Sequence, residues 1–328
     1  MGTALASDFK VYQEEFQAGM WEALSQNSNA FNAASRNAIR LVTRERVGDY
    51  AKEAIFKTIS NLYTRRNTAT TSTASAVKPT QDEIISVKVN RKLGPVEFTL
   101  DAIRKIGKDQ REMSFVLGQM AGQAKTQDLL NTGILAVEAA IEGQLTALNY
   151  DASALSVKTL VSANLANALK LMGDAGDRVV CWVMHSKPFY DLMLHQLTGN
   201  VTNIADRIVY AANVGSLNRP VVVADIPALW DANTSLTDTY NVLGLVQDAV
   251  VVEESEAEEI VTEVVTGLEN LVVRVQGESA FNIGIKGMKW NITGGGAGPT
   301  DTALGTTSNW TQVATSDKDL AGVRIKCQ

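Results

Sequence analysis

The chain has 328 residues, of which 45% are apolar and 20% charged, and its 30 Lys+Arg against 36 Asp+Glu give a net charge of −6. That is ample for a sizeable core in one elaborate domain or two modest ones, and it excludes a disordered or fibrous chain. No run approaches the roughly 18 uncharged apolar residues that span a bilayer, and a net acidic chain is unsuited to coating nucleic acid.

In chain order, the start MGTALASDFKVYQEEF carries early acids and no apolar centre, so it reads as no secretory leader. Residues 1–66 read as helical pieces. Phe9, Phe16, Met20 and Leu24 fall near helical spacing, and Val47, Tyr50, Ala54 and Ile59 or Leu62 form a second rough stripe over Val47–Tyr63. Residues 67–80, NTATTSTASAVKPT, lack the apolar mass to drive burial and read as a mobile loop. Ile85, Val87 and Val89 then alternate with polar residues, Gly94-Pro95 signals a turn, and Val96 and Phe98 resume the strand period. Residues 67–98 therefore read as an extended two-stranded hairpin, marginal in water unless a neighbour covers it.

The longest helical pattern follows, from Asp109 to Leu145, about 55 Å at 1.5 Å per residue. Its apolar repeat runs through Met113, Met120, Ile134, Val137 and Ile141. Gly118, Gly122 and Gly133 each weaken a helix by about 1 kcal/mol relative to Ala, and each also permits close packing. Residues 155–235 alternate helix and strand: a helix ending at Gly173, a buried strand VVCWVM (Val179–Met184), a helix capped by Ser186 with Pro188 in its first turn and Phe189, Leu192, Met193 and Leu197 inward, then a turn from Gly215 to Pro220 into VVVADI. From Tyr240 the chain is β-rich. Phe281, Ile283 and Ile285 alternate on one parity and Met288, Trp290 and Ile292 on the other, which predicts a β-bulge at Gly287. Gly294–Gly298 reads as a flexible connector, and a short last strand is expected at Gly322–Lys326.

The charge is unevenly spread. From Arg36 to Arg66, the bases Arg36, Arg40, Arg44, Arg46, Lys52, Lys57, Arg65 and Arg66 face only Glu45, Asp49 and Glu53. From Asp248 to Glu278 the acids include Glu253, Glu254, Glu256, Glu258 and Glu259, with Arg274 as the single base. One reading is two solvated faces. The other is complementary patches on neighbouring copies of one chain. The subunit-contact candidates are thus Arg40, Arg44, Arg46, Arg65, Arg66, Lys78, Lys88, Arg91, Lys92, Glu253, Glu254, Glu256, Glu258 and Glu259. Reversing charge at Glu253 and Glu254 together is expected to impair assembly more than folding.

Chemistry-bearing groups are sparse. The chain has two histidines, His185 and His195, without a companion cluster, and two cysteines, Cys181 and Cys327, which cannot make a disulfide framework and suit a reduced compartment. Cys181 reads as an inert core thiol and His185 as a hydrogen-bonding residue at a strand end. Gly294–Gly298 lacks the Lys and Ser/Thr of a phosphate loop, and residues 254–259, ESEAEE, lack the alternating ligands of a calcium loop. No catalytic, metal or cofactor site is assigned.

Three stretches carry a resemblance: NVGSLNRPVVVADIPAL (213–229), ESAFNIGIKGMKWN (278–291) and GPTDTALGTTSNWTQVATSDKDLAGVRIKCQ (298–328). With the order of elements, they make the chain resemble the major capsid proteins of tailed bacteriophages with the HK97-type fold. That resemblance implies an α+β chain divided into an N-terminal arm (1–66), an extended loop (67–98), a spine helix with the first part of a peripheral domain (99–154), an α/β axial domain (155–238), and a β-rich second part of the peripheral domain with the C-terminal tail (239–328). It implies an icosahedral shell of hexamers and pentamers around double-stranded DNA, held without sequence-specific contacts or a membrane. It further implies residence in the virion, assembly in the host cytoplasm, a separate scaffolding protein, a portal and a decoration protein as partners, and no cofactor. The family prototype joins a loop lysine to a neighbour's asparagine. Lys78, Lys88 and Lys92 are the loop lysines here, and no acidic catalyst pocket accompanies them, so no cross-link is expected. Two other readings stand beside this one: an encapsulin-like compartment shell, and an α/β enzyme centred on residues 155–235.

Overall fold

A computed structural model describes residues 6–57, 59, 62–66, 68–71, 73, 76–99, 110–144, 147–199, 201–204, 207–210, 216–232, 237–266, 269, 270 and 272–328. Part of the loop expected at 67–80 and the turn at Gly215 lie outside these residues. Helix α1 (Ala6–Ala34) buries Phe16, Met20, Ala23 and Leu24 along one stripe, as their spacing predicts.

Strand β1 (Ile39–Thr43) follows, and strand β2 (Tyr50–Phe56) stands where a helix was expected over Val47–Tyr63. The apparent stripe is no burial pattern: Val47 and Tyr63 are fully exposed and Leu62 largely so. What fixes this stretch is pairing with strands distant in sequence. Strand β3 (Gln81–Thr99) is likewise one strand of 19 residues instead of two joined by a turn. Gly94-Pro95 lies inside it, where the register against Val275 and Gly277 slips, so the turn signal becomes a bulge. The extended hairpin is therefore formed by β2 and β3, joined through residues 57–80.

Helix α2 (Gln110–Glu142) is the expected long helix, about 50 Å in length. After β4 (Asn149–Asp151) come α3 (Ser162–Leu171), which stops at Gly173 with φ +58°, and the buried β5 (Val179–Met184). Helix α4 (Ser186–Gly199) buries Leu192 and leaves Met193 exposed, against expectation. Its first residue is Ser186, so the cap lies elsewhere: Asp225 Oδ1 accepts the Ser186 N–H at 2.8 Å and His185 Nδ1 the Lys187 N–H at 3.3 Å.

The remaining strands are β6 (Val201–Ile204), β7 (Arg207–Tyr210), β8 (Val221–Val223), β9 (Trp230–Asp231), β10 (Thr239–Val246), β11 (Val250–Val265), β12 (Val272–Ile285), β13 (Met288–Trp290), β14 (Trp310–Gln312) and β15 (Gly322–Cys327), with short helices α5 (Ile292–Gly295) and α6 (Asp301–Leu304). Two main sheets result. One has the order β1-β11-β12-β3-β2, and the other the order β4-β15-β10-β5-β8 with β9 beside β10. The α/β unit thus extends beyond residues 155–238, because β10, β15 and β4 complete its sheet. The parity change at Gly287 is a tight turn with φ +75°, and β13 leaves β12's sheet to pair with β14. It is not the bulge expected.

One large core fills the space between the C-terminal half of α2 and the two sheets, with Ile134, Val137, Ile141, Trp182, Leu243, Phe281 and Ile325 at its centre. Burying an aliphatic side chain of this size stabilises by about 1.5–3 kcal/mol. A separate small cluster of Phe16, Met20, Leu24, Ile260 and Val275 holds α1 against the outer part of the first sheet. No described helix is long and apolar enough to cross a membrane.

Candidate subunit-contact surfaces

Strand β1 adds to the edge of β11 in parallel, with Ile39 opposite Val250 and Thr43 opposite Glu254. This register sets the basic arm against the acidic strand of the same chain. Arg40 pairs with Asp248 at 3.2 Å, Arg44 with Glu253 at 3.6 Å, and Arg46 with both Glu253 and Glu53 at 2.9 Å. Hydrogen bonds to Glu253, and then to Glu53, hold the Arg46 guanidinium above its ordinary pKa. Lys88, itself buried, pairs with Glu256. The complementary patches that the sequence suggested for neighbouring copies are in large part satisfied within one chain.

Glu254 and Glu258 do not face solvent. With side chains 11% and 4% exposed, they share Lys125 of α2 at 2.5 and 3.2 Å. Reversing Glu253 and Glu254 would break these internal ion pairs, so an effect on folding is expected beside the larger one on assembly. Arg91 also works internally. It reaches Asp128 at 2.9 Å, Thr132 at 3.0 Å and Asp301 at 2.6 Å, and its guanidinium lies over the Phe281 ring. It ties β3 to α2 and α6. The candidates left without an ion pair among the described residues are Arg65, Arg66, Lys78, Lys92 and Glu259, all exposed.

Sequence reasoning missed one buried polar network. Glu138 of α2, 7% exposed, lies 2.9 Å from Arg324 Nε of β15 and accepts a hydrogen bond from Asn241 of β10 at 3.1 Å. Arg324 also donates to Glu142 at 3.0 Å. Burial pushes the Glu138 carboxyl up to about 7, against the pull of Arg324. The signal was a carboxylate inside GILAVEAAIE, an otherwise apolar run. The network fastens the long helix across the second sheet.

The other singled-out residues are structural. Burial raises the Cys181 thiol to about 11 and the Cys327 thiol to about 12, far from reactivity. His185 packs its ring against Tyr240, with centroids 5.1 Å apart. The first glycines of the expected connector are held by Trp290, which lies against Gly295 and donates to Gly296 O at 3.0 Å, while Trp290 and Trp310 meet edge to face; Gly296 has open space around it. Among the described residues no group of His, Cys, Asp and Glu could hold a metal ion.

The comparisons with known proteins point one way. A family model described as Gp13-like, major capsid protein 13-like, matches residues 8–324. No curated protein matches the chain. Among solved structures, the capsid asymmetric unit of cyanophage Pam1 is similar at 11% identity and a TM-score of 0.51, over 88% of each chain. A chain from Mycobacterium phage Bobi gives 11% identity and 0.51 over 89% of each. One from Mycobacterium phage Adephagia gives 10% and 0.51, over 77% of this chain and 83% of that one. At such identities the likeness speaks for the fold alone. That fold is α+β and of the HK97-like kind.

Proposed function

The chain belongs to the Gp13-like family of major capsid proteins, and from that premise we propose that copies of it close into an icosahedral shell around the double-stranded DNA of a tailed phage. Its role is structural and shell-forming, as a component of the virion. The observation that carries the reading is the length of the family match. From residue 8 to residue 324 it takes in α1, the long helix, both main sheets and the β2–β3 hairpin. Neither the encapsulin-like alternative nor the enzyme centred on residues 155–235 gains support.

The finer reading has the subunits in hexamers and pentamers. The β4-β15-β10-β5-β8 sheet lies towards the capsomer axis and the β1-β11-β12-β3-β2 sheet at its periphery. Assembly takes place in the host cytoplasm with a separate scaffolding protein and a portal, and shell strength rests on non-covalent contacts or on a decoration protein. Lys88 is committed to Glu256, and Lys78 and Lys92 have no carboxylate partner among the described residues. The shell in this reading is held by non-covalent contacts. Electron microscopy of the protein expressed alone, and then with its neighbouring genes, tests the reading. Closed shells, or pentamers and hexamers, are expected, and a uniform small particle under all conditions would sink it. A denaturing gel of purified shells should show a single band; a ladder would disprove the non-covalent part.

A further inference from the structure

A cleft of about 900 Å³ opens beside the irregular stretch of β11, between the β1–β2 connection and the strands β3, β11 and β12. Its charges do not cancel from within. Arg46 is neutralised by Glu53 and Glu253, Arg91 by Asp128 and Asp301, and Glu256 by Lys88, in every case by groups outside the cleft lining. What remains is three carboxylates, Glu45, Glu259 and Glu278, against the single ammonium of Lys92; all four are exposed and without an ion pair among the described residues. In register Glu278 stands between Glu259 of β11 and Lys92 of β3, so a like-charge pair, which repels, adjoins the single ammonium. Ser255, only 3% exposed, lines the cleft with a hydroxyl that has no hydrogen-bond partner. An unpartnered buried hydroxyl is costly, and an incoming donor would satisfy it.

The complement lies on the same chain. Residues 57–80 contain Lys57, Arg65, Arg66 and Lys78 and no Asp or Glu. Lys57 is held by Asp82. Arg65 and Arg66 are exposed beside Leu62 and Tyr63, which are 62% and 97% exposed. No described residue of 57–80 lines the cleft. The segment rejoins the sheet at Gln81, and Asn90–Lys92 lie about ten residues farther along β3, roughly 30 Å at 3.3 Å per residue. The basic segment enters β3 at its start and the cleft lies at its middle, and complementary surfaces so separated can match head to tail between copies.

We propose that the Arg65-Arg66 pair of one copy enters the Ser255 cleft of the next. There the guanidinium groups bridge Glu259 and Glu278, and one donor reaches the Ser255 hydroxyl. Planar guanidinium forks suit paired carboxylates better than an ammonium does. The proposal rests on the shell reading and names the contact that drives it.

The first test reverses charge in the full chain. Arg65→Glu with Arg66→Glu should leave at least about tenfold fewer particles by sedimentation and electron microscopy. Glu259→Arg with Glu278→Arg should do the same, and the two pairs combined should restore assembly. Unchanged assembly in either double variant overturns the proposal, as does failure of the combination when circular dichroism shows it folded. Where the combination fails to fold, disulfide trapping decides. Arg66→Cys and Glu278→Cys on separate chains, mixed and oxidised, should give a dimer that needs both variants, since the native thiols are buried. No dimer overturns the contact. If the wild type forms no particles at all, the shell reading fails, while the trapping experiment still reports on the contact.

Discussion

The two halves of α2 are one helix held in two different ways. From Leu129 to Ile141 it is enclosed by both main sheets, and Ile134, Ala136, Val137, Ala139, Ala140 and Ile141 are all 0–1% exposed. From Gln110 to Thr126 its packing partner is chiefly α1, and Val116 and Met120 stay open to solvent. The contact with α1 is made backbone to backbone. A Cβ on Gly118 would collide with the Phe16 carbonyl, and one on Gly122 would lie 2.7 Å from Met20 O. The inner half is stabilised by apolar area and the outer half by closeness of approach. Glycines that weaken an isolated helix are what make that approach possible. Lys125, with its two carboxylates, sits where one regime passes into the other.

That contrast can be broken in several places, here from the largest expected effect to the smallest. Lys125→Met strands Glu254 and Glu258 without their shared cation and should cost about 3–5 kcal/mol in chemical denaturation of unassembled subunits. A loss below 1 kcal/mol would mean that the junction is held by packing alone. In the inner half, Ile141→Ala should cost about 2–5 kcal/mol by the same measurement, through lost burial and the cavity left behind. In the outer half, Gly118→Ala should destabilise by about 1–3 kcal/mol. On a helix exposed on that face the same change would gain about 1 kcal/mol, so the sign alone decides.

Glu138 adds a pH test. Its carboxyl titrates near 7 in the folded chain against an ordinary 4.5, so the native state holds a proton that the unfolded state has released. Stability should therefore fall as pH rises from about 4.5 to 7 and then level off, by about 1–3 kcal/mol. Glu138→Gln should flatten that slope; an unchanged slope would place the titration elsewhere. Last, Met120→Ala should change the free subunit by no more than about 0.5 kcal/mol. A much larger loss of thermal stability in assembled shells than in subunits would show that a neighbour covers this face.

The legible elements were those whose signal is local or whose burial is complete on both faces. The long helix, VVCWVM and the last strand came within a few residues of their observed bounds. Strand β2 was misread because Val47, Tyr50, Ala54 and Leu62 mimic a helical period, while what fixes β1 and β2 is pairing with strands farther along the chain. The charged residues were correctly singled out as unevenly distributed. Which charge meets which was beyond reach, since Arg46 and Glu253 are 207 residues apart and meet through a parallel register that no spacing announces. Gly94-Pro95 and Gly287 carried true backbone signals whose outcome, a bulge in one case and a turn between sheets in the other, was decided by the neighbouring strand.

Strand β15 follows every other strand of its sheet in chain order, yet it lies inside that sheet, between β4 and β10. It also carries Arg324 to Glu138 and Glu142. During translation β4 and β10 must therefore wait with open edges for a partner that the ribosome delivers after both of them. A chain truncated before Gly322 would leave β4 and β10 facing a gap, and the long helix would lose its cross-sheet fastening. Such a fragment would lack both the completed sheet and its ion pairs to the long helix, so the strand made last is the one that closes the subunit.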